Sequence, residues 1–180
     1  MKKWAMLLKG VNVGGNRKLP MADLRQFLKD LGYTDVKTLL ASGNAVFSCD
    51  ESDGAQLETL LEREAKAKLA LDTDILVRDA ADLAAILKAN PFADAAVDHP
   101  SHLLVYFHRD RFPVELIDAL ALVYQGPERR TAIGRELFID FPENIGDSKL
   151  PQAMARARFP KLVTARNWNT VNKLAAMLSA

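Results

Sequence analysis

The chain has 180 residues, 49% of them hydrophobic and 26% charged, with 24 basic against 23 acidic side chains. That is the composition of a globular domain and not of a disordered chain, and a formal charge of +1 argues against a broadly basic nucleic-acid binder while leaving room for a local patch. The single cysteine, Cys49, allows no internal disulfide, and no apolar run reaches the roughly 18–20 residues of a membrane span.

The first nine residues, Met1 to Lys9, start basic, but their apolar stretch is too short for a signal peptide, so a cytoplasmic protein is expected. Trp4 to Leu8 is a continuous apolar run, which predicts a central strand. Gly10-Val11-Asn12-Val13-Gly14-Gly15-Asn16-Arg17-Lys18 follows as a loop, its glycines and asparagines tolerating positive φ. Pro20 opens a helix with Leu24, Phe27, Leu28 and Leu31 as the buried stripe and Gly32 as its stop. Val36, Thr38 and Leu40 alternate as a strand, Ser42-Gly43-Asn44 turns, and Ala45 to Ser48 returns. A second helix carries Leu57, Leu60, Leu61, Ala65 and Leu69, and a strand from Asp74 to Arg78 completes a β-α-β-β-α-β order, the ferredoxin-like arrangement.

Residues 79–90 read as a connecting helix with Leu83, Ile86 and Leu87 inward, ended by Asn90-Pro91-Phe92, and Ala93 to Ser101 as a loop. The same order then recurs: a strand from His102 to Phe107, a helix from Val114 to Leu122, and two strands, Glu128 to Ile133 and Glu136 to Phe141, joined at Gly134-Arg135. A helix from Leu150 to Phe159 and a short strand from Leu162 to Thr164 lead to an amphipathic helix from about Trp168, with Val171, Leu174, Ala175 and Leu178 on its apolar side. The expected fold is α+β: two ferredoxin-like (βαββαβ) halves, 1–78 and 101–180, joined by a helix and loop at 79–100, with a C-terminal helix in the second half.

Three stretches concentrate polar groups of fixed geometry. Arg166-Asn167-Trp168-Asn169-Thr170 sits where the last helix begins. Asn167 is a natural N-cap there, Trp168 falls on the apolar stripe, and Asn169 lies on the polar side. The stretch is either a cap with a solvated face or a surface turned to a ligand. The glycine loop matches neither the dinucleotide fingerprint nor the P-loop. It either turns the chain, or its N–H groups with Asn12, Asn16, Arg17 and Lys18 accept an anion. Gly146-Asp147-Ser148-Lys149 precedes a helix, where Ser148 either caps or joins Lys149 in holding a phosphate.

If these stretches converge, Asn12, Gly14, Gly15, Asn16, Ser148, Lys149, Arg166, Asn167, Asn169 and Thr170 form a basic, Asn-rich pocket for a phosphorylated or nucleotide-type small ligand. An enzyme acting on that ligand is the alternative, with Asp147 and Ser148 its nearest approach to acid–base groups, but no constellation compels a reaction. His99, His102 and His108 show no zinc-ligand spacing, and neither catalytic residues nor a cofactor can be read from the chain. A nucleic-acid or protein-interaction module comes third. It would rest on Arg129-Arg130 with Arg156, Arg158 and Lys161, and on an open sheet face carrying Tyr106, Phe107, Phe138 or Phe141.

Five motifs occur in order: Gly10-Val11-Asn12-Val13-Gly14-Gly15, Ser42-Gly43-Asn44, Asn90-Pro91-Phe92, Gly146-Asp147-Ser148-Lys149-Leu150 and Arg166-Asn167-Trp168-Asn169-Thr170. Together they resemble the bacterial domain-of-unknown-function family 1697, from Lys3 to about Leu178. The resemblance supports the fold and the site and brings no activity with it. Lys9, where the resemblance implies arginine, and Ala41, where it implies glutamine, are departures that bear on the choice of ligand.

Overall fold

The computed structural model describes residues 1–15 and 17–180 and divides into two compact units, Met1–Ala85 with Lys173–Ala180, and Ile86–Asn172. Their elements bear out the two βαββαβ orders.

The first unit contains β1 (Lys2–Leu8), α1 (Met21–Asp30), β2 (Thr34–Leu39), β3 (Asn44–Cys49), α2 (Gly54–Leu69) and β4 (Ile75–Asp79). Its sheet is antiparallel throughout, in the order β2-β3-β1-β4. The unbroken apolar run places β1 in the centre, where every residue from Trp4 to Leu8 is buried. α1 buries Leu24, Phe27 and Leu28, and α2 buries Leu57, Leu61 and Ala65, both against Trp4, Met6 and Leu8. Each such side chain contributes about 1.5–3 kcal/mol. Asp53 starts α2 by accepting from the N–H groups of Ala55 and Gln56 at 2.8 and 3.2 Å, the work of an N-cap. Arg78, on β4, is fully buried and lies 3.9 Å from the carboxylate of buried Glu58, which also accepts from Val77 N–H at 2.9 Å.

α3 (Ala80–Ala89) follows β4. Then come α4 (Ala93–Asp98), β5 (Leu103–His108), α5 (Glu115–Val123), β6 (Arg129–Ile133), β7 (Glu136–Asp140), a 3-10 turn at Ile145–Asp147, α6 (Leu150–Arg156), β8 (Val163–Asn167) and α7 (Trp168–Ser179). The second sheet repeats the first, antiparallel in the order β6-β7-β5-β8.

Three boundaries differ from the sequence reading. The expected loop at Ala93–Ser101 contains α4, because three alanines favour a helix and Ala95 gives it a buried anchor. α6 ends at Arg156, short of Phe159, and Arg158 takes a left-handed φ of 57°. β8 runs to Asn167, three residues past Thr164, so Arg166 is a strand residue. Its alternation, with Thr164 and Arg166 buried, is hidden because the inward residues are polar.

Candidate functional site

In the first unit, the end of the sheet at Leu8 brings together two of the motifs. Leu8 pairs with Ile75 and Leu7 with Asn44, so the glycine loop, the Ser42-Gly43-Asn44 turn and the approach to β4 share that end. Asn12 closes the loop with its side chain. Oδ1 accepts from Leu19 N–H at 2.8 Å, and Nδ2 donates to the carbonyls of Leu19 at 2.8 Å and Ala41 at 2.6 Å. Gly43, at φ +80, fits where a Cβ would stand 3.0 Å from Leu8 Cβ and 3.4 Å from Val11 Cβ. Fully buried Asn44 donates to Leu39 O at 3.0 Å and Ser42 Oγ at 3.1 Å. On the far side Arg17 donates to Thr73 Oγ1 at 2.9 Å.

These contacts fold the loop and leave Gly14 and Gly15 exposed. A cavity of about 220 Å³ at this end of the sheet is lined by Lys9, Arg17, Glu62, Asp72, Thr73 and Asp74, and by neither glycine. Its three carboxylates outnumber its two cations. Asn16 lies outside the described residues.

In the second unit, strand register decides which motifs meet. Arg129 pairs with Asp140, Asp140 with Leu103, and Leu104 with Asn167. The segments that follow β7 and β8 therefore leave from the same end of the sheet. They leave from strands two spacings apart, about 9.5 Å, with β5 between them. The segment after β7 turns toward the β6 edge, where Ser148 meets Glu128, and β8 is itself the other edge.

On the β6 side stands Ser148. Its hydroxyl donates to Glu128 and accepts at 3.1 Å from the N–H of Leu150, the first residue of α6. Tyr124 donates to the same carboxylate at 2.9 Å, and the Arg130 guanidinium lies 5.7 Å from the centre of the Tyr124 ring. Burial by itself would raise the Glu128 carboxyl, but hydrogen bonds from Ser148, its own backbone and Tyr124 outweigh it and hold the group below its ordinary value. Gly126 makes the arrangement sterically possible, since a Cβ there would collide with the Tyr124 hydroxyl and the Glu128 carboxylate. The cavity at this point has a volume of about 220 Å³. Glu128, Glu143, Asp147 and Lys149 bring charge to it, while Pro127 and Pro142 supply apolar wall.

On the β8 side the Arg166-to-Thr170 motif mostly serves the fold. Arg166, 8% exposed, donates to Thr164 Oγ1 at 2.7 Å and Ala165 O at 2.8 Å, and burial lowers its guanidinium to about 10. Asn167 Oδ1 accepts from Thr170 N–H at 3.0 Å, the capping bond expected of it. Trp168 and Thr170 are buried, and Asn169 is exposed. The cavity that Ser148 and Lys149 line includes none of these five residues.

Between the two edges lies a charged chain that the sequence reading missed. Asp140, 2% exposed, sits 2.6 Å from His99 Nε2 and accepts from Arg129 Nε at 2.9 Å and Nη2 at 2.8 Å. Arg129 also grips Asp94 at 2.9 Å and lies over the Phe92 ring at 4.7 Å. Hydrogen bonds to Asp94 and Asp140 raise its guanidinium above the ordinary value. The Asn90-Pro91-Phe92 motif was the available signal: Asn90 Oδ1 accepts from Phe92 N–H at 3.0 Å, fixing the ring beneath the guanidinium.

The surfaces proposed for nucleic acid do not assemble. Phe107, Phe138 and Phe141 are buried, and burial pushes the Tyr106 hydroxyl up to about 12. Arg129 lies at the Asp140 end of the sheet, whereas Arg156 ends α6 and Arg158 and Lys161 follow it on the way to β8, whose start pairs with His108 at the other end. Among the described residues no group of three or more His, Cys, Asp or Glu side chains is placed to hold a metal ion, and no helix is long and apolar enough to cross a membrane.

Two βαββαβ units of this order define an α+β protein of duplicated ferredoxin-like topology. The chain belongs to the family described as protein of unknown function DUF1697, whose model matches residues 1–138. Among solved structures it is similar to that titled "The structure of conserved bacterial protein SP0830 from Streptococcus pneumoniae", with 25% sequence identity, 98% of each chain covered and a TM-score of 0.78. No curated protein matches it.

Proposed function

We propose that this protein binds a small phosphorylated ligand of the sugar-phosphate type, in the cavity between Glu128 and Lys149. One observation carries the reading: buried, hydrogen-bonded Glu128 and the exposed carboxylates of Glu143 and Asp147 share a small cavity with a single exposed lysine. Carboxylates only accept hydrogen bonds, so they suit a ligand rich in hydroxyl donors, and with three of them against one cation in the cavity the phosphate is held only at exposed Lys149. The proline walls suit the C–H faces of a sugar ring.

Size narrows the class further. Drug-sized ligands occupy roughly 300–1,000 Å³, so a cavity of about 220 Å³ suits a monosaccharide phosphate better than a nucleotide. The free, buried thiol of Cys49 is at home in a reducing compartment, which supports a cytoplasmic setting.

Calorimetric titration with hexose and pentose phosphates, their unphosphorylated sugars, and nucleotides tests this. A sugar phosphate should bind more tightly than its parent sugar, and Lys149→Ala should weaken it about tenfold or more through loss of a charge-assisted hydrogen bond. Equal affinity for sugar and sugar phosphate, or binding indifferent to Lys149→Ala, would sink the proposal.

A further inference from the structure

The helical face of the second unit carries an apolar seam that its own chain leaves open. α5 runs Glu-Leu-Ile-Asp-Ala-Leu-Ala-Leu-Val and buries only Leu120 fully. Leu122 is 83% exposed and Val123 77%. Single exposed apolar residues are ordinary, and Val13, Val97 and Ile133 are of that kind. Leu122 and Val123 differ because a groove of about 740 Å³ runs beside them between α5 and α6, with Ala119, Val123, Ala153 and Ala157 along it. Small side chains on two neighbouring helices leave a hollow that a large side chain from another helix can fill.

The charges on the two rims differ in sign. On α5, Glu115, Asp118 and Leu122 follow the i, i+3, i+7 spacing of one helical face, and all three are exposed. On the α6 side, Lys149, Gln152 and Arg156 follow the same spacing and are exposed too. One rim is acidic and apolar, the other basic. A two-fold axis brings the same patch of two subunits together, so that the acidic rim of each meets the basic rim of the other. A surface carrying a projecting leucine, a hollow and both signs of charge is complementary to itself.

We propose that this seam is a homodimer interface, in which Leu122 of each copy enters the alanine-lined groove of the other and Asp118 faces Arg156 across the axis. Charge complementarity favours a second copy over an unrelated apolar partner, because every element of the match is already on this face. Tyr124 and Lys149 line both this groove and the cavity proposed for the sugar phosphate, but Asp118, Leu122 and Arg156 lie outside that cavity, so variants at these three test the interface without touching the ligand site.

Sedimentation velocity over about 1–200 µM tests it, a range chosen for the modest affinity of a small interface. The wild type should move from monomer to dimer, and Leu122→Asp should stay monomeric, with an unfolding midpoint equal to that of the wild type at concentrations where both are monomers. Asp118→Arg and Arg156→Asp should each weaken association at least tenfold, and the double variant should recover it, since the swapped charges face each other again. A wild type monomeric at every concentration would overturn the proposal and hand the seam to another occupant. A dimer that survives Leu122→Asp would overturn it by placing the interface elsewhere. Failure of the double variant to recover association would overturn the charge pairing.

Discussion

The two units share one topology and cover their sheets differently. In the first, α1 and the 16-residue α2 bury six apolar side chains between them fully or nearly so, among them Leu24, Phe27, Leu28, Leu57 and Leu61. In the second, α6 has 7 residues, about 10 Å of helix where α2 has about 24 Å. The shorter helix leaves α5 without a full-length neighbour, and α5 keeps apolar residues that a solvated surface does not need. Topology fixes where helices lie; helix length decides whether their faces are satisfied. The loops differ in a parallel way. At the Leu8 end of the first sheet, Asn12 and Asn44 spend their hydrogen bonds on backbone, so that end is fastened. At the Asp140 end of the second sheet, hydroxyls and cations converge on carboxylates.

The largest effect separates the helical covers. Leu61→Ala, in α2 and fully buried, should destabilise the protein by about 2–5 kcal/mol through lost burial and a residual cavity. Leu122→Ala, in α5, should stay within about 0.5 kcal/mol under dilute, monomeric conditions. Urea unfolding followed by circular dichroism measures both. Similar losses at the two positions would erase the contrast, and would mean that α5 is covered in solution even at low concentration.

A smaller effect separates the two asparagine-bearing motifs. Asn12→Ala removes the partner of two carbonyls and one N–H, and should cost about 2–3 kcal/mol because those groups lose an internal hydrogen bond each. Asn169→Ala, on an exposed residue, should stay within about 0.5 kcal/mol. Ligand titration of that variant should match the wild type, since the helix is capped by Asn167 and the cavity at Ser148 and Lys149 does not include Asn169.

Much of this architecture was legible in the sequence. The run from Trp4 to Leu8 and the spacing of Leu24, Phe27 and Leu28 follow from burial alone, and a period of two or 3.6 reports burial directly. Asn167 was legible as a cap because capping is local. Arg166 was not legible as a buried strand residue. A charged side chain breaks the apolar alternation by which strands are found, and its burial is set by neighbours far away in sequence. The Glu128–Ser148 contact spans 20 residues and Arg129–Asp94 spans 35, so neither could come from spacing. Nothing local in the sequence marks Gly126 as the residue whose missing Cβ lets Tyr124 and Glu128 close on each other.

The smallest effect concerns pH and tests whether the carboxylate end of the second sheet behaves as its contacts require. Glu128 is held below its ordinary value of 4.5, so the unfolded chain takes up a proton there before the folded one does. Its contribution to stability is therefore complete above about pH 4.5 and is lost as the pH falls through the lower, folded value. Glu128→Gln removes this titration. Subtracting its unfolding midpoints from those of the wild type between pH 7 and pH 3 should give a difference that is flat down to about pH 5 and then shrinks in the variant's favour. Ser148→Ala should produce a partial version of the same change, because it withdraws one of the hydrogen bonds that hold the carboxylate ionised. A difference that stays constant to pH 3 would mean that Glu128 titrates alike in both states, and that the hydroxyls around it do not discriminate its charge.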